Sequence, residues 1–302
     1  MSAIITTGNN PKAMWPGVKA WFGKAYEEHQ TEWTDLFDQE TSDKAYEEVV
    51  ESIGFGLPSI KPQGESISYD TDSQGYTKRF THTAYASGYM VTFEEMRDNL
   101  YAEVAKRRTP DLAFSMRQGH ENVCADVYNN GFSTSYLGGD GKPWFSATHP
   151  TYAGDQSNLL TAADLSELAL EDAGVAVMNA TDSRGRKIGL KMMSLHIAPA
   201  NWYEATRILK SVLQNNTAEN AINALRVTGE FPKGIKINHY FDDADAYFIR
   251  TNARRGAMHF QRDELSFSED GAFDNKAQKY MAYERFIAAW ADWRAAWASA
   301  GA

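Results

Sequence analysis

The stretch GESISYDTDSQGYTKRFTHTAYASGYMVTFEEMRDNLY, residues 64 to 101, changes its periodicity midway and orders the rest of the chain around it. From Gly64 to Thr92 apolar residues recur at period two, Ile67 and Tyr69 before Asp72-Ser73-Gln74-Gly75 and Tyr76, Phe80 and Tyr85 after it. That pattern predicts a β-hairpin in which Gly75 supplies the positive φ of the turn. Its arms carry Asp70, Thr77, Lys78, Arg79 and His82 on both faces, leaving little apolar surface for docking on its own domain. A lone two-stranded ribbon is marginal in water, so this one is expected to gain stability from another chain. Thr92-Phe93-Glu94-Glu95 then reads as a capping box, with side chains of the first and last residues exchanging hydrogen bonds with each other's amides. A helix follows through Met96, Leu100 and Val104 and resumes through Leu112, Met116, Val123 and Val127. Pro110 is expected to kink it or to open a second segment, because proline donates no backbone hydrogen bond.

Upstream, residues 1 to 34 lack a sustained period, and Trp15, Trp21 and Phe22 read as anchors of an extended arm. Leu36, Phe37, Tyr46, Val49 and Val50 predict a helix between Thr34 and Glu51, stopped by Gly54, Gly56 and Pro58. Downstream, Asn129 to Gly141 is loop, and a helix opens near Thr161 and runs through Leu165, Leu168, Leu170 and Val175. Strand character appears in Lys187 to Ala198, and Pro199 introduces a helix bearing Trp202, Ala205, Ile208, Leu209 and Val212. Ile235 to Tyr240 and Ala246 to Thr251 are short strands, giving an α+β order rather than a βαβ repeat. In the tail, Trp290, Trp293 and Trp297 fall at helical spacing among alanines.

The chain has 302 residues, of which 43% are hydrophobic and only 23% charged, enough apolar material for a substantial core and too little charge for disorder. A net charge of −10 without a basic block argues against sequence-specific nucleic-acid binding, which draws on Lys and Arg to displace phosphate counterions. A single cysteine, Cys124, excludes an internal disulfide framework and a Cys-rich zinc site; within an apolar helical run it reads as a small buried hydrophobe. No apolar stretch approaches the roughly 20 residues of a membrane span, and no signal-peptide pattern opens the sequence.

Motifs for chemistry are absent from the pattern. Seven histidines are dispersed, with no HExxH, so a metal site would need long-range convergence; none is expected. His149 reads as a local hydrogen-bonding residue. Asp70 to Gly75 begins like a calcium loop but places Thr81 where a bidentate glutamate is required. Gly138-Gly139-Asp140-Gly141-Lys142 lacks phosphate-loop spacing, and neither GxGxxG nor GxSxG occurs. The pairs Asp242-Asp243 and Asp263-Glu264 read as solvated surface. No catalytic residue and no cofactor is therefore expected.

In its order of blocks the chain resembles the major capsid proteins of tailed bacteriophages, of the Hong Kong 97-like fold and in particular the Mu-like major head subunits. The resemblance lies in WTDLFDQETSDKAYEEVVESIGFGLP (33 to 58), the 64 to 101 stretch, GKPWFSATHP (141 to 150), SNLLTAADLSELALEDA (157 to 173) and DSRGRKIGLKMMSLHIAPANWYEATRILKS (182 to 211). It continues in ADAYFIRTNARRGAMHFQRDELSF (244 to 267) and KYMAYERFIAAWADWRAAWAS (279 to 299). It implies an N-terminal arm (1–34), a first peripheral segment (35–58), an extended loop (59–92) and a spine helix with peripheral domain (93–140). An axial domain (141–261), peripheral return strands (262–291) and a C-terminal segment on the axial domain (292–302) would follow. Against the helical spacing of its tryptophans, the resemblance implies a strand from Asn275 to about Trp290.

The resemblance implies a non-enzymatic shell subunit that forms hexamers and pentamers and encloses double-stranded DNA as a non-specific neighbour. Asp70, Asp72, Gln74, Tyr76, Lys78, Arg79 and Phe80 would be the assembly contacts of the extended loop, and Trp15, Trp21 and Phe22 the arm anchors. Portal and, since the sequence starts at Met1, a separate scaffolding protein are the expected partners, and a virion assembled in a bacterial cytoplasm is the expected location. Some relatives cross-link a loop Lys to an Asn with a Glu assisting; here Lys78 and Asn275 are the nearest matches and Tyr283 stands at the acid's place, so no cross-link is expected. Two other readings are an encapsulin-type compartment on the same fold and a metal-assisted hydrolase using His149 and His196.

Overall fold

The Thr92 hydroxyl accepts the Glu95 N–H at 3.3 Å and the Glu95 carboxylate accepts the Thr92 N–H at 3.2 Å, so the capping box forms and turns strand into helix. The computed structural model describes residues 15–98, 101–213, 222–272, 274 and 276–302. Helix α1 (Trp15–Glu28) and a 3-10 turn (Trp33–Asp35) lead into strands β1 (Asp38–Thr41) and β2 (Tyr46–Ser52). After a long connection come β3 (Gln74–Thr81), β4 (Thr83–Val91), α2 (Phe93–Arg97) and the 29-residue helix α3 (Tyr101–Asn129). A small ribbon, β5 (His149–Thr151) and β6 (Gly154–Gln156), precedes α4 (Glu167–Asn179), β7 (Met192–Ile197), α5 (Trp202–Lys210) and α6 (Ala224–Thr228). The chain ends with β8 (Ile235–Ile237), β9 (Tyr247–Thr251), β10 (Ala257–Gly271), β11 (Gln278–Trp290) and β12 (Ala296–Ser299).

Two four-stranded sheets organise these elements, one in the order β1-β10-β11-β4 and the other β12-β9-β7-β8. In the first, β11 buries every second residue, so Tyr280, Ala282, Glu284, Phe286, Ala288 and Trp290 form one inward row. Against that row lie α3 and, through Phe22 and Ala25, α1; Phe22 stacks on Phe267 with ring centroids 4.7 Å apart. The second sheet carries α4 and α5 on an aliphatic core of Leu170, Val177, Leu195, Ile197, Ile208 and Ile249. Between the sheets, the end of α3 meets Trp144, Phe145, Phe248, Trp290 and Trp293 around a fully buried Tyr128 whose hydroxyl donates to the Leu36 carbonyl at 2.8 Å. Aromatic rings bury large areas each and dominate such a junction.

Several local expectations are corrected. Thr34 to Glu51 is not a helix: the 3-10 turn, β1 and most of β2 occupy it, the β-branched Val49-Val50 favour strand, and β2 exposes every second residue. Residues 15 to 28 are helical rather than extended, with Phe22, Ala25 and Tyr26 at helical spacing against the chain's own core. Phe22 is thus an intramolecular anchor, while the Trp15 and Trp21 side chains lie outside the described ones. The hairpin is built differently too: β3 pairs not with residues 64 to 71 but with β2, and Gly75 has no positive φ. Pro110 lies inside a continuous α3. The tail forms β11, a 3-10 turn at Trp293–Ala295 and β12, not a helix.

Candidate functional site

The feature most exposed to a partner is the β2–β3 ribbon and the connection beyond it. Pairing runs from Tyr46 opposite Thr81 to Ser52 opposite Gln74, and the last rung is Ile53 N–H to the Ser73 carbonyl at 3.0 Å. Beyond it, residues 54–72 carry no strand pairing and close on small contacts, Ser59 Oγ to Ser68 Oγ at 2.7 Å and Glu65 N–H to Pro62 O at 3.3 Å. Gly64, with φ of 87°, makes the turn that lets this segment return. Ile60 is 94% exposed, Tyr69 88% and Leu57 80%, and Phe55 and Ile67 are also open to solvent. Single exposed apolar residues are ordinary, but five within fifteen residues of a projecting loop mark an interaction surface.

The predicted contact residues divide into two groups. Asp70 and Asp72 staple the loop: Asp70 accepts the Gly56 N–H at 2.5 Å and the Arg184 guanidinium at 2.9 Å, and Asp72 accepts the Gly54 N–H at 2.8 Å and the Ser52 hydroxyl. Backbone N–H groups of Gly56 and Thr71, then Arg184, hold the Asp70 carboxyl below its ordinary range. Gln74 is exposed and reaches Thr77, and Arg79 pairs with Glu48 across the ribbon at 2.7 Å while covering Tyr46. Phe80, Tyr76 and Lys78 face inward instead. Phe80 is buried against Met258, Phe260 and Ala291, and burial raises the Tyr76 phenol's pKa. Lys78 donates to the Leu137 carbonyl at 2.7 Å beside Trp290, and its pKa is lowered by burial. The ribbon base is therefore docked on its own chain, contrary to the expectation of an unsupported hairpin.

Arg184 and Arg186 complete that docking and were not singled out in the sequence. Both lie in the turn 182–186, where Asp182 accepts Arg186 Nε at 2.5 Å; Arg184 also donates to the Thr71 carbonyl at 2.8 Å, and Arg186 donates to the Phe55 carbonyl. Glu51, left unpaired by the register shift in β2, accepts the Ser183 hydroxyl and faces Arg294 at 3.7 Å. A second open apolar face is the outer side of α4, where Leu168, Val175 and Met178 are exposed.

The histidines proposed for hydrolysis are structural. His149 is fully buried, stacks on Trp293 at 4.6 Å and bonds Asp140 at 2.5 Å and Asn158 at 3.0 Å. His196 is buried against Ser194 Oγ at 2.8 Å, and burial pushes its pKa down to about 3. Asp243 caps the turn at Asp245 and Ala246. Asn275 lies outside the described residues. Among the described residues no helix is long and apolar enough to cross a membrane.

Comparison with solved structures finds the same architecture at low identity. The chain is similar to a structure from Mycobacterium phage Che8 with TM-score 0.52 and 13% identity, covering 90% of this chain and 93% of that one. It is similar to a structure from Mycobacterium phage Adephagia with TM-score 0.50 and 12% identity, covering 90% of each chain. A phage-related protein from Bordetella bronchiseptica RB50 gives TM-score 0.50 and 11% identity over 92% of this chain and 95% of that one. No curated protein matches. The family model for phage capsid protein matches residues 75–299, a span that takes in α3, three strands of the first sheet and the whole of the second, and the chain accordingly belongs to the phage capsid protein family.

Proposed function

We propose that this chain is the major head subunit, self-assembling through hexamers and pentamers into an icosahedral shell around double-stranded DNA. The observation that carries the mode of assembly is the exposed apolar row of Phe55, Leu57, Ile60, Ile67 and Tyr69 on a loop stapled to its base but uncovered along its length. Its occupant would be a neighbouring copy of the chain. Each contact is modest, and closed symmetry with many interlocked contacts makes the shell stable. In this reading residues 141–261 form the axial part facing the capsomer centre, and the exposed face of α4 meets its neighbour there. A net charge of −10 keeps the wall from gripping phosphates, so DNA packs as a non-specific neighbour. Portal and a separate scaffolding protein would be further partners, with assembly in a bacterial cytoplasm.

Sedimentation and negative-stain electron microscopy of the purified chain, with and without its scaffold, test this. Closed shells, or pentamers and hexamers that close when scaffold is added, are the expected outcome. A monomer or dimer under every assembly condition would overturn it.

A further inference from the structure

Two side chains of α3 meet a third that is far away in sequence. His120 and Cys124 are four residues apart on α3 and so share a helical face; His259 comes from β10. All three are buried, and their ligand atoms lie within 4.8 Å of one another. The Nε2 atoms of His120 and His259 are 3.1 Å apart. Two imidazoles on one tetrahedral zinc, at ordinary Zn–N lengths, would be about 3.3 Å apart. On its other side His120 Nδ1 meets the buried Glu284 carboxylate at 3.1 Å, the carboxylate–histidine arrangement that orients a metal-ligating imidazole. The Trp33 ring lies tilted against both imidazoles, with ring centroids 4.6 and 4.2 Å apart.

From this geometry we propose that His120, Cys124 and His259 form a three-ligand zinc site that ties α3 to β10, with Glu284 as the positioning residue. Zinc binding displaces the thiol proton, leaving Zn2+, one thiolate and two neutral imidazoles with a net charge of +1. The buried carboxylates of Glu284, beyond His120, and Glu121, next to His120 on α3, face that charge. Without metal the thiol stays protonated, since burial and then the carboxylates of Glu121 and Glu284 raise its pKa. Of the three ligands, His259 alone lines the neighbouring open cleft of about 610 Å³, together with Trp33, Glu40 and Gln261. The inference does not depend on the chain forming a shell.

Because Cys124 is the single cysteine, any thiolate-to-metal absorption reports this site alone. The full chain, purified under reducing conditions without chelator, is expected to hold about one zinc per subunit by mass spectrometry of the metal. Refolded with Co2+, it is expected to show a thiolate-to-cobalt charge-transfer band that Zn2+ abolishes. Glu284→Gln should retain the band with roughly 10–100-fold weaker Co2+ affinity, and His259→Gln should weaken it further. Native protein that carries no zinc and gives no such band in excess Co2+ while folded overturns the proposal. So does a His259→Gln variant, folded by circular dichroism, that binds Co2+ as tightly as the parent.

Discussion

The Arg184 guanidinium meets the Asp70 carboxylate at 2.9 Å, and with it a turn 114 residues away holds the extended loop by its root. The same guanidinium donates to the Thr71 carbonyl and lies beside Tyr152, so one side chain ties loop, turn and β5–β6 ribbon together. Arg184→Ala removes all three ties while leaving the sheets alone. The expected result is a several-fold faster limited proteolysis within residues 54–72 with an unchanged unfolding midpoint, measured on the unassembled subunit. Unchanged cleavage would show that the apolar contacts of the ribbon base hold the loop without Arg184.

Loop tip and ribbon base should separate folding from assembly. Ile60 and Tyr69 are almost wholly exposed, so Ile60→Asp with Tyr69→Asp is expected to leave stability within about 0.5 kcal/mol of the parent. Shell yield in the same variant should collapse. Phe80→Ala removes a ring that is 1% exposed and packs on Met258 and Phe260, at a cost of about 3–5 kcal/mol. Urea unfolding of the subunit paired with sedimentation of particles checks both, and a tip variant that assembles normally would take the apolar row out of the interface.

Part of this arrangement is legible in the sequence. The capping box at Thr92 is local chemistry, and the strand–helix boundary falls where it was read. In β11 the row Tyr280, Ala282, Glu284, Phe286, Ala288 and Trp290 is a plain period of two, but Trp290, Trp293 and Trp297 overlay a helical period that tertiary pairing overrides. The resemblance to phage capsid proteins resolved that conflict correctly in favour of a strand. The partner of β3 was not legible, because β2 carries glutamates on both faces and its register sets Glu48 against Arg79 but Glu47 opposite Phe80. For α1, Pro16 and Gly17 disguise a period set by Phe22, Ala25 and Tyr26. Sequence shows which residues are apolar but not which stay uncovered, so Leu57 and Ile60 gave no signal. His120 and Cys124 are visible at helical spacing, but His259, 139 residues from His120, joins them only through the fold.

Glycine positions offer a test of packing that avoids the interfaces. At Gly256, between β9 and β10, an added Cβ would lie 2.0 Å from the Ala295 Cβ and 3.0 Å from the Asp292 carbonyl. Gly256→Ala is therefore expected to cost about 1–3 kcal/mol through overpacking. Gly23 in α1 has nothing within 4 Å, and Gly23→Ala is expected to gain about 0.5–1 kcal/mol by helix propensity. Thermal unfolding of the two variants should move in opposite directions; no change at Gly23 would mean that α1 contributes little to the stability of the subunit.

Part of the acid sensitivity should trace to His196. Burial, reinforced by Arg250, Lys236 and Lys233, pushes its pKa down to about 3 in the native protein, against an ordinary value near 6.5. Between those two values the unfolded chain binds a proton that the native chain refuses, so native stability is full above about pH 6.5 and falls as the pH drops. The slope from this one group is about 1.4 kcal/mol per pH unit across the window. His196→Gln retains a partner for the Ser194 hydroxyl, which bonds His196 at 2.8 Å, but has no proton to gain. Urea unfolding of parent and variant subunits at a series of pH values between about 6 and 4 is expected to show a difference in slope of close to one proton. The variant should lose less stability on acidification even if it is less stable at neutral pH, because a packing defect shifts the curve without changing its slope. Parallel curves would mean that His196 takes up its proton in the native state and that other groups set the acid limit.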